Sequence, residues 1–519
     1  MRRPLGFPLI TALLVTIGAL LYLGYSLHYG FLGFPLDDAW IHQTYARNLA
    51  LQRQFAYNPG EVSVGSTSPL WTLLLAPAYV LPLDYRLWTY LLGAMFLVLT
   101  GWVIRRLSSC LFPGEPLVPA ATALFCLLEW HLAWAAFSGM ETILFVFLLL
   151  LSLERYLAGS RPFVTGLITG LLALTRPEGV LLPPLMILDA LWRRQRGTRS
   201  LTWAGVARHL TLLLLGFGLL MIPYVAFNLV ISGQVFPSTF YAKQAEYQQM
   251  IESLPVWARW GRLAGVTFVG AQVLLIPGCL YAVYRIVRLR EARAVLPLAW
   301  WFLFVVVYAI RLPVTYQHGR YLIPAIPLLI LYGVWGTRHM PSLSRIVPPV
   351  LVISASLVLI IFWLRGAEQY ATDVRIIESE LAATGRWLKD NTPPEALIGV
   401  HDIGAIGYFS ERALVDTAGL VNPEVIPFIR DEERVLSFLR EKGVDYVVIF
   451  PSWYPQMAAS SQLRSVHRSA SPWIVQAGGD NIVVYETIWG RPGRLGPFTR
   501  TCQELRLSHY SMPSRVACP

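Results

Sequence analysis

Apolar segments of membrane-spanning character recur along most of this chain and constrain its fold more than any other feature. The first runs from about Leu9 to Tyr29, and the last runs from Ile346 to Leu364. Of the 519 residues, 55% are hydrophobic and only 14% are charged, whereas an average soluble domain has about 25% charged residues. The sequence therefore predicts a polytopic α-helical membrane protein, not a soluble enzyme with one anchor.

Arginines in the short connecting loops predict the orientation of these segments. Arg2 and Arg3 precede the first segment, which lacks a small-residue cleavage site, so we expect an uncleaved span and a cytoplasmic N-terminus. The run from Pro69 to Leu81 is too short to cross and is expected along the outer surface. Arg105, Arg106 and the later Arg clusters then lie inside, and about eleven crossings follow.

The net charge of +11 is explained by this orientation and does not indicate nucleic acid. The sequence contains neither a phosphate-binding P-loop nor a Rossmann glycine fingerprint, which argues against a reaction driven by ATP or NAD. We therefore expect a multi-pass protein of the plasma membrane whose partners are membrane lipids and not nucleic acid.

The composition changes after Arg365 and predicts two parts. Residues 1–365 are expected to form a transmembrane catalytic module whose first outer loop spans 30–86. Residues 366–519 carry charge, helical patterns and short β-branched runs, such as the one from Tyr446 to Phe450. This alternation predicts a C-terminal extracytoplasmic α/β domain.

The cysteines do not form a metal-binding pattern. Cys110, Cys126 and Cys279 lie in or beside apolar segments and are expected to be small core residues. Cys502 and Cys518 flank a short loop in the tail and could form a disulfide if the tail is extracytoplasmic. Their spacing does not decide between that pairing and two free thiols.

Two adjacent carboxylates, Asp37 and Asp38, follow the first apolar segment. Asp37 is a good N-cap for a helix on which Asp38, His42 and Tyr45 share one face. Placing a carboxylate beside a bilayer is energetically costly, so a functional role is the default interpretation. The structural alternative is that Asp37 caps the helix and Asp38 interacts favourably with the helix dipole. Because the two side chains point about 100° apart, one would take a proton while the other orients it or holds a cation.

A second group of cations falls on the predicted outer side and does not serve orientation. An anionic group bound there would explain them, because Arg pairs bidentately with phosphate. Snorkelling, or pairing with Glu141, Glu178 or Glu246, is the alternative for any single one. The group comprises Arg47, Arg53, Arg176, Lys243, Arg311 and Arg320. Arg176 and Arg320 stand among other polar residues at span ends, and we assign these two to function.

Metal binding is left open by the sequence. His318, Glu141 and His401 could add ligands for a divalent cation, but no spacing resembles a zinc site. His42 is interpreted as a hydrogen-bonding wall residue and not as a metal ligand. A divalent cation is therefore possible and no ligand set is assigned.

Several motifs are distributed along nearly the whole chain: 37–48, 58–71, 139–142, 175–179 and 401–408, with Asp416 and 419–421. They resemble motifs of the GT-C superfamily of membrane glycosyltransferases, and most of all those of the mycobacterial terminal arabinofuranosyltransferase type. More distantly, the sequence is similar to protein O-mannosyltransferases and to the aminoarabinose transferase that modifies lipid A.

The resemblance implies a GT-C fold, a polyprenyl-phosphate sugar donor and transfer with inversion. Asp37 would be the base and Asp38 its supporting or cation-binding partner, while Arg176 and Arg320 would neutralise the departing phosphate. The acceptor would be an envelope glycan, lipid or protein. The implied donor-binding set is Arg176, Arg320, His318, Glu141, His42, Tyr45 and Arg47.

The main alternative is a transporter or flippase of lipid-linked saccharides. The sequence of such a protein is expected to contain charged residues, or segments interrupted by Gly or Pro, near the middle of several spans, often in two repeated halves of the chain. The polar groups of this sequence gather instead at the outer ends of the spans, which favours the enzyme. A non-catalytic scaffold whose tail binds a partner is a third interpretation.

Overall fold

Helices make up the whole N-terminal part of the computed structural model, which describes residues 6–196, 202–289, 291–341 and 347–489. The helices up to the last apolar segment are α1 (Gly6–His28), α2 (Asp37–Gln52), α3 (Pro69–Leu75), α4 (Tyr85–Leu111), α5 (Val118–Leu128), α6 (Trp130–Phe137), α7 (Thr142–Leu157), α8 (Pro162–Thr175), α9 (Leu182–Gln195), α10 (Trp203–Ser232), α11 (Ser238–Glu246), α12 (Gln248–Ser253), α13 (Val256–Val266), α14 (Ile276–Leu289), α15 (Val295–Arg311), α16 (Tyr316–Gly319), α17 (Ile326–His339) and α18 (Val347–Ile377).

Seven helical segments among the described residues are long and apolar enough to cross a membrane, or up to eight if the bent pair α5–α6 is one span. Helices also occupy the other three predicted crossings, but α7, α8 and α9 have only 16, 14 and 14 residues. A perpendicular span needs about 20 residues. The multi-pass architecture is confirmed, and the count of about eleven crossings stays a prediction. Helix α3, with seven residues, is too short to cross, as expected.

Glycines allow some of the helices to pack at backbone contact. A Cβ atom on Gly166 of α8 would lie 2.0 Å from the carbonyl oxygen of Leu213 in α10. A Cβ atom on Gly216 of α10 would lie 2.2 Å from the carbonyl oxygen of Phe163. Small residues are the usual means by which helices approach closely inside a membrane.

The C-terminal part is a small α/β unit built on one five-stranded mixed sheet. Its strands are β1 (Leu397–Val400), β2 (Ala413–Asp416), β3 (Tyr446–Ile449), β4 (Leu463–Arg468) and β5 (Val483–Thr487), and its helices are α19 (Ala383–Asn391), α20 (Ile403–Ser410), α21 (Glu432–Glu441), α22 (Pro455–Ala458) and α23 (Pro472–Gln476). The strand order is β2-β1-β3-β5-β4, with β2, β1 and β3 parallel and the other pairs antiparallel. We call residues 383–489 the tail domain, and its strand between Tyr446 and Ile449 confirms the predicted one.

A continuous helical path joins the apolar bundle to the tail domain. Helix α18 passes through a π-helical turn, Glu378–Ala382, into α19. The predicted division between residues 365 and 366 falls inside α18, and the domain assignment stays a prediction. Among the cysteines, Cys126 is buried as expected, whereas Cys502 and Cys518 lie outside the described residues.

The loop after α2 holds the tail domain against the bundle. Asn58 donates to the carbonyl oxygen of Leu414 at 2.9 Å and accepts from the backbone N–H of the same residue at 3.0 Å. Tyr57 donates from its hydroxyl to the carbonyl oxygen of Ile403. These bonds place the first turn of α20 directly against the first turn of α2.

Candidate active site

The first turn of α2 presents Asp37 to the tail domain. The prediction that Asp37 caps α2 is wrong: Leu36 occupies the N-cap position and Asp37 is the first helical residue. The two carboxylate oxygens of Asp37 accept hydrogen bonds from the backbone N–H groups of Gly404 at 2.8 Å and Ala405 at 2.7 Å. Asp37 therefore satisfies N-terminal amides of α20, which would otherwise lack partners.

Asp402 lies beside Asp37 and leaves its own helix uncapped. It stands at the N-cap position of α20 but makes no capping hydrogen bond. Burial, and next the neighbouring charge of Asp402, raise the pKa of Asp37 to about 8. Burial also raises the pKa of Asp402, to about 7, with contributions from Asp38 and Glu246. The pair can hold a proton near neutral pH, which is the property expected of a general base.

Asp38 points away from this pair and joins two cations. It accepts from Lys243 Nζ at 3.1 Å and from the guanidinium of Arg320. Burial alone would raise the pKa of Asp38, but Arg320 and Lys243 together hold it well below its ordinary range. The hydroxyl of Tyr321 accepts from both cations, at 2.9 Å from Lys243 and 3.0 Å from Arg320.

Arg320 is only 5% exposed, and its Nε and Nη1 atoms have no hydrogen-bond partner among the described residues. It follows a turn in which Gln317, His318 and Gly319 have positive φ angles of 49°, 60° and 63°. Left-handed backbone at non-glycine residues is strained and is typical of functional sites. His318 holds this turn through Asp373, at 2.7 Å from its Nε2 atom.

A second charged group surrounds Arg176 at the end of α8. Arg176 lies 3.4 Å from Glu141 and 3.3 Å from Glu178, and donates to the hydroxyl of Tyr308 at 2.7 Å. His42 Nε2 lies 3.2 Å from Glu141 Oε2. Although burial opposes ionisation, the adjacent His42 ring and the charge of Arg176 lower the pKa of Glu141 to about 2.

Two adjoining clefts meet at Asp38, Lys243 and Arg320. The first cleft lies inside the bundle and includes Arg176 and His42. Four cations line it against three carboxylates: Arg176, Lys243, Arg311 and Arg320 against Asp38, Glu141 and Glu178. The second cleft lies between the bundle and the tail domain and includes Asp37 and Asp402. The first cleft therefore suits an anion, and the second holds the proton-accepting pair.

Three predicted binding residues lie outside the lining of both clefts. Tyr45 bonds Ser63 at 2.7 Å and the backbone N–H of Gly65 at 3.0 Å, so it shapes the loop after α2. Arg47 donates to the carbonyl oxygen of Tyr408 at 3.1 Å and stacks over its ring. His318 holds the Arg320 turn. Their direct contact with a donor stays a prediction, and we give them positioning roles.

The structure adds residues to the site that had no assigned role in the sequence analysis. Lys243 stood among the unexplained outer cations, and its rarity, as one of three lysines in the chain, was an available signal. Asp402 lies in the stretch 401–408, which was noted for its resemblance to a family motif and for no other reason. Tyr308 and Tyr321 had no distinguishing pattern, since buried tyrosines are common in apolar helices.

A divalent cation has no assembled ligand set among the described residues. The described residues contain no group of three or more His, Cys, Asp or Glu side chains placed to hold a metal ion. Lys243 and Arg320 contact the carboxylate of Asp38, and Arg176 and the His42 ring contact that of Glu141. We therefore derive no step through a metal.

The fold is GT-C-like: the described residues contain 7–8 candidate spans and a small C-terminal α/β domain. ArnT from Cupriavidus metallidurans, solved with undecaprenyl phosphate bound, aligns over 93% of this chain and 99% of its own, with a TM-score of 0.58 and 15% identity. The apo oligosaccharyltransferase of Archaeoglobus fulgidus aligns over 92% of this chain and 74% of its own, with a TM-score of 0.61 and 13% identity.

The subfamily is not fixed by these similarities. The mycobacterial arabinofuranosyltransferase AftD aligns over 92% of this chain and 41% of its own, with a TM-score of 0.47 and 15% identity, which is too distant to carry an argument. Residues 367–488 match the model of a family described as a domain of unknown function, DUF8728. No curated protein matches the sequence. The arabinofuranosyltransferase assignment therefore stays a prediction.

Proposed function

We propose that this chain is an integral membrane glycosyltransferase that transfers a sugar from a polyprenyl-phosphate donor to an acceptor hydroxyl. The observation that carries the proposal is the buried guanidinium of Arg320, which lines both clefts while two of its nitrogen atoms have no partner among the described residues. Buried donors in native structures are nearly always satisfied. A phosphate oxygen is the acceptor that best suits an arginine.

The first cleft is the proposed site of the donor phosphate. Arg176 and Lys243 add positive charge there, and the apolar wall includes Phe240, Val307 and Leu312. A polyprenyl tail stays in the bilayer, so its sugar phosphate is reached only at an interface. The binding of undecaprenyl phosphate by ArnT, which shares the fold, supports the same ligand class here.

The arrangement of the two clefts supports a single displacement with inversion. The acceptor hydroxyl oxygen forms a bond to the anomeric carbon, and the bond from that carbon to the phosphate oxygen breaks. Asp37, on the side of the second cleft, takes the hydroxyl proton. The departing polyprenyl phosphate keeps the bonding electrons, and Arg320 and Lys243 stabilise its developing charge.

The proposed location is the non-cytoplasmic face of the plasma membrane. The clefts, the loop after α2 and the tail domain lie at one end of the bundle, whereas Arg105 and Arg106 lie toward the other end of α4. By the positive-inside rule, the N-terminus is cytoplasmic and the tail domain extracytoplasmic.

A transfer assay with the full chain in lipid nanodiscs tests this function. Labelled arabinofuranose, mannose, glucose and aminoarabinose on polyprenyl phosphate form the donor panel, and transfer to envelope acceptors is followed. We expect Arg320→Gln to lower transfer by about 10²–10³-fold because a donor to the developing charge is lost. Arg320→Lys should retain part of the activity, since it keeps the charge.

Arg365→Gln is the matched control, because Arg365 pairs with Glu368 on the exposed surface of α18. Its transfer rate and its thermal stabilisation by undecaprenyl phosphate should match those of the natural chain. Unchanged transfer by Arg320→Gln, or no stabilisation of the natural chain by undecaprenyl phosphate, would contradict the assignment of the first cleft.

A further inference from the structure

The second cleft does not end at Asp37. It continues into a further cavity between the bundle and the tail domain, and the two share Glu246, Tyr247, His401 and Trp453. We call this continuous space the groove. It runs from the proposed base to the surface, so a chain-like molecule could lie along it with one end at Asp37.

The groove lies at the edge of the tail-domain sheet where the strand topology favours ligand binding. Strand β1 lies between β2 and β3, so the chain leaves it first to one side and then crosses to the other. Ligands of such sheets bind outside the carboxyl ends of the strands at this switch point. His401 and Asp402 follow β1, and Phe450 and Trp453 follow β3.

Aromatic rings form opposite walls of the groove. Trp453 is 54% exposed although it packs on Phe450, with ring centroids 4.8 Å apart, and meets the edge of His401 at 5.5 Å. Tyr247 stands on the bundle side, against Tyr316. The C–H face of a sugar ring packs on the electron-rich face of an aromatic ring, which a fixed and exposed indole provides.

Carboxylates without strong partners accompany these rings. Asp402 has no hydrogen bond or ion pair among the described residues, and the carboxylate of Glu246 lies 3.9 Å from His401 Nε2. Carboxylates only accept hydrogen bonds when ionised, so they suit a ligand rich in hydroxyl donors. Four cations balance five carboxylates in the lining of the groove: Lys243, Arg262, Arg320 and Arg430 against Asp37, Asp38, Glu246, Asp402 and Glu432. A nearly balanced lining gives little net attraction to a charged chain and suits a neutral one.

We infer that the groove binds the acceptor and that the acceptor is a neutral saccharide chain of at least two sugar units. The terminal hydroxyl lies at Asp37, and a following sugar ring packs on Trp453. This inference rests on the proposed transferase function and names its acceptor class.

Binding of neutral arabinan, mannan and glucan oligosaccharides to the full chain in nanodiscs, followed by saturation-transfer NMR and titration, tests the inference. We expect at least one series to bind, with affinity rising from one to three sugar units. Trp453→Ala should weaken that binding at least tenfold, whereas Trp453→Phe should stay within about threefold because it keeps the ring. Trp257→Ala, at an exposed tryptophan outside the groove, is the control and should change nothing.

Undecaprenyl phosphate separates this inference from the function on which it rests. Stabilisation by undecaprenyl phosphate without binding of any neutral oligosaccharide would overturn the groove assignment and leave the donor site intact. Oligosaccharide binding without donor stabilisation would instead overturn the transferase while supporting the groove. The inference would also be overturned if folded Trp453→Ala bound the oligosaccharides as tightly as the natural chain.

Discussion

At the scale of single residues, two adjacent carboxylates of one helix have pKa values that are shifted in opposite directions. Asp38 faces Lys243 and Arg320, and its pKa is held well below its ordinary range. Asp37 faces Asp402 and the tail domain, and its pKa is raised to about 8. One position along the helix therefore separates an ion-pairing group from a proton acceptor, because neighbouring side chains point about 100° apart.

The raised pKa of Asp37 predicts how transfer depends on pH. A base works only in its ionised form, so kcat/KM should rise with pH and level off above about pH 8. The charged or titratable groups that face Asp37 are Asp38 from its own helix, Asp402 from the tail domain and Tyr57 from the loop. Asp402→Asn removes a negative neighbour and should move the rise to lower pH.

The measurement is a pH profile of kcat/KM for the natural chain and for Asp402→Asn, with Asp37→Asn as the inactive reference. We expect Asp37→Asn to lose about 10²–10⁴-fold in transfer while undecaprenyl phosphate still stabilises it. Full transfer by Asp37→Asn would remove Asp37 as the base. A rise at the same pH in Asp402→Asn would show that the two carboxylates are not coupled.

At the scale of elements, the contact between α2 and α20 fixes the position of Asp37, the proposed base. A Cβ atom on Gly404 would lie 2.0 Å from the carbonyl oxygen of Asp37, so only glycine fits between the two helices. Helix α20 in turn depends on Asp37 for its N-terminal hydrogen bonds. The same contact therefore positions Asp37 and docks the tail domain on the bundle.

Gly404→Ala should displace Asp37 and lower both stability and transfer. Overpacking of this kind costs about 1–3 kcal/mol, which thermal unfolding in detergent can detect. Gly261→Ala is the matched control, because a Cβ atom at Gly261 of α13 has no neighbour within 4 Å. A natural melting temperature and transfer rate in Gly404→Ala would contradict the tight contact.

The packing of α8 on α10 makes a second prediction at this scale. Gly216→Ala places a methyl group against the backbone of α8 and should destabilise the bundle by about 1–3 kcal/mol. Gly218→Ala, on the same helix, meets only the flexible end of Ile222 at 3.4 Å and should be neutral or stabilising. Thermal unfolding of the two variants under identical conditions compares them, and equal effects would argue against backbone contact.

At the scale of the whole molecule, the proposed function depends on which side of the membrane the clefts face. In a cysteine-free background, Arg105→Cys and Ser461→Cys place single thiols at exposed positions of the bundle and the tail domain. We expect an impermeant maleimide added outside whole cells to label position 461 and not position 105. Labelling of position 105 alone would reverse the topology and place the clefts in the cytoplasm.

The sequence by itself determined the class of fold, the helix that carries Asp37 and Asp38, and the strand that follows residue 445. These features depend on local hydrophobicity and periodicity, which a sequence displays directly. Only the tertiary structure joined Asp38 to Lys243 and Arg320, 205 and 282 positions away, and Asp37 to Gly404, 367 positions away. Such partners are chosen by helix packing, because a buried charge is stable only beside whichever opposite charge or amide the fold brings to it.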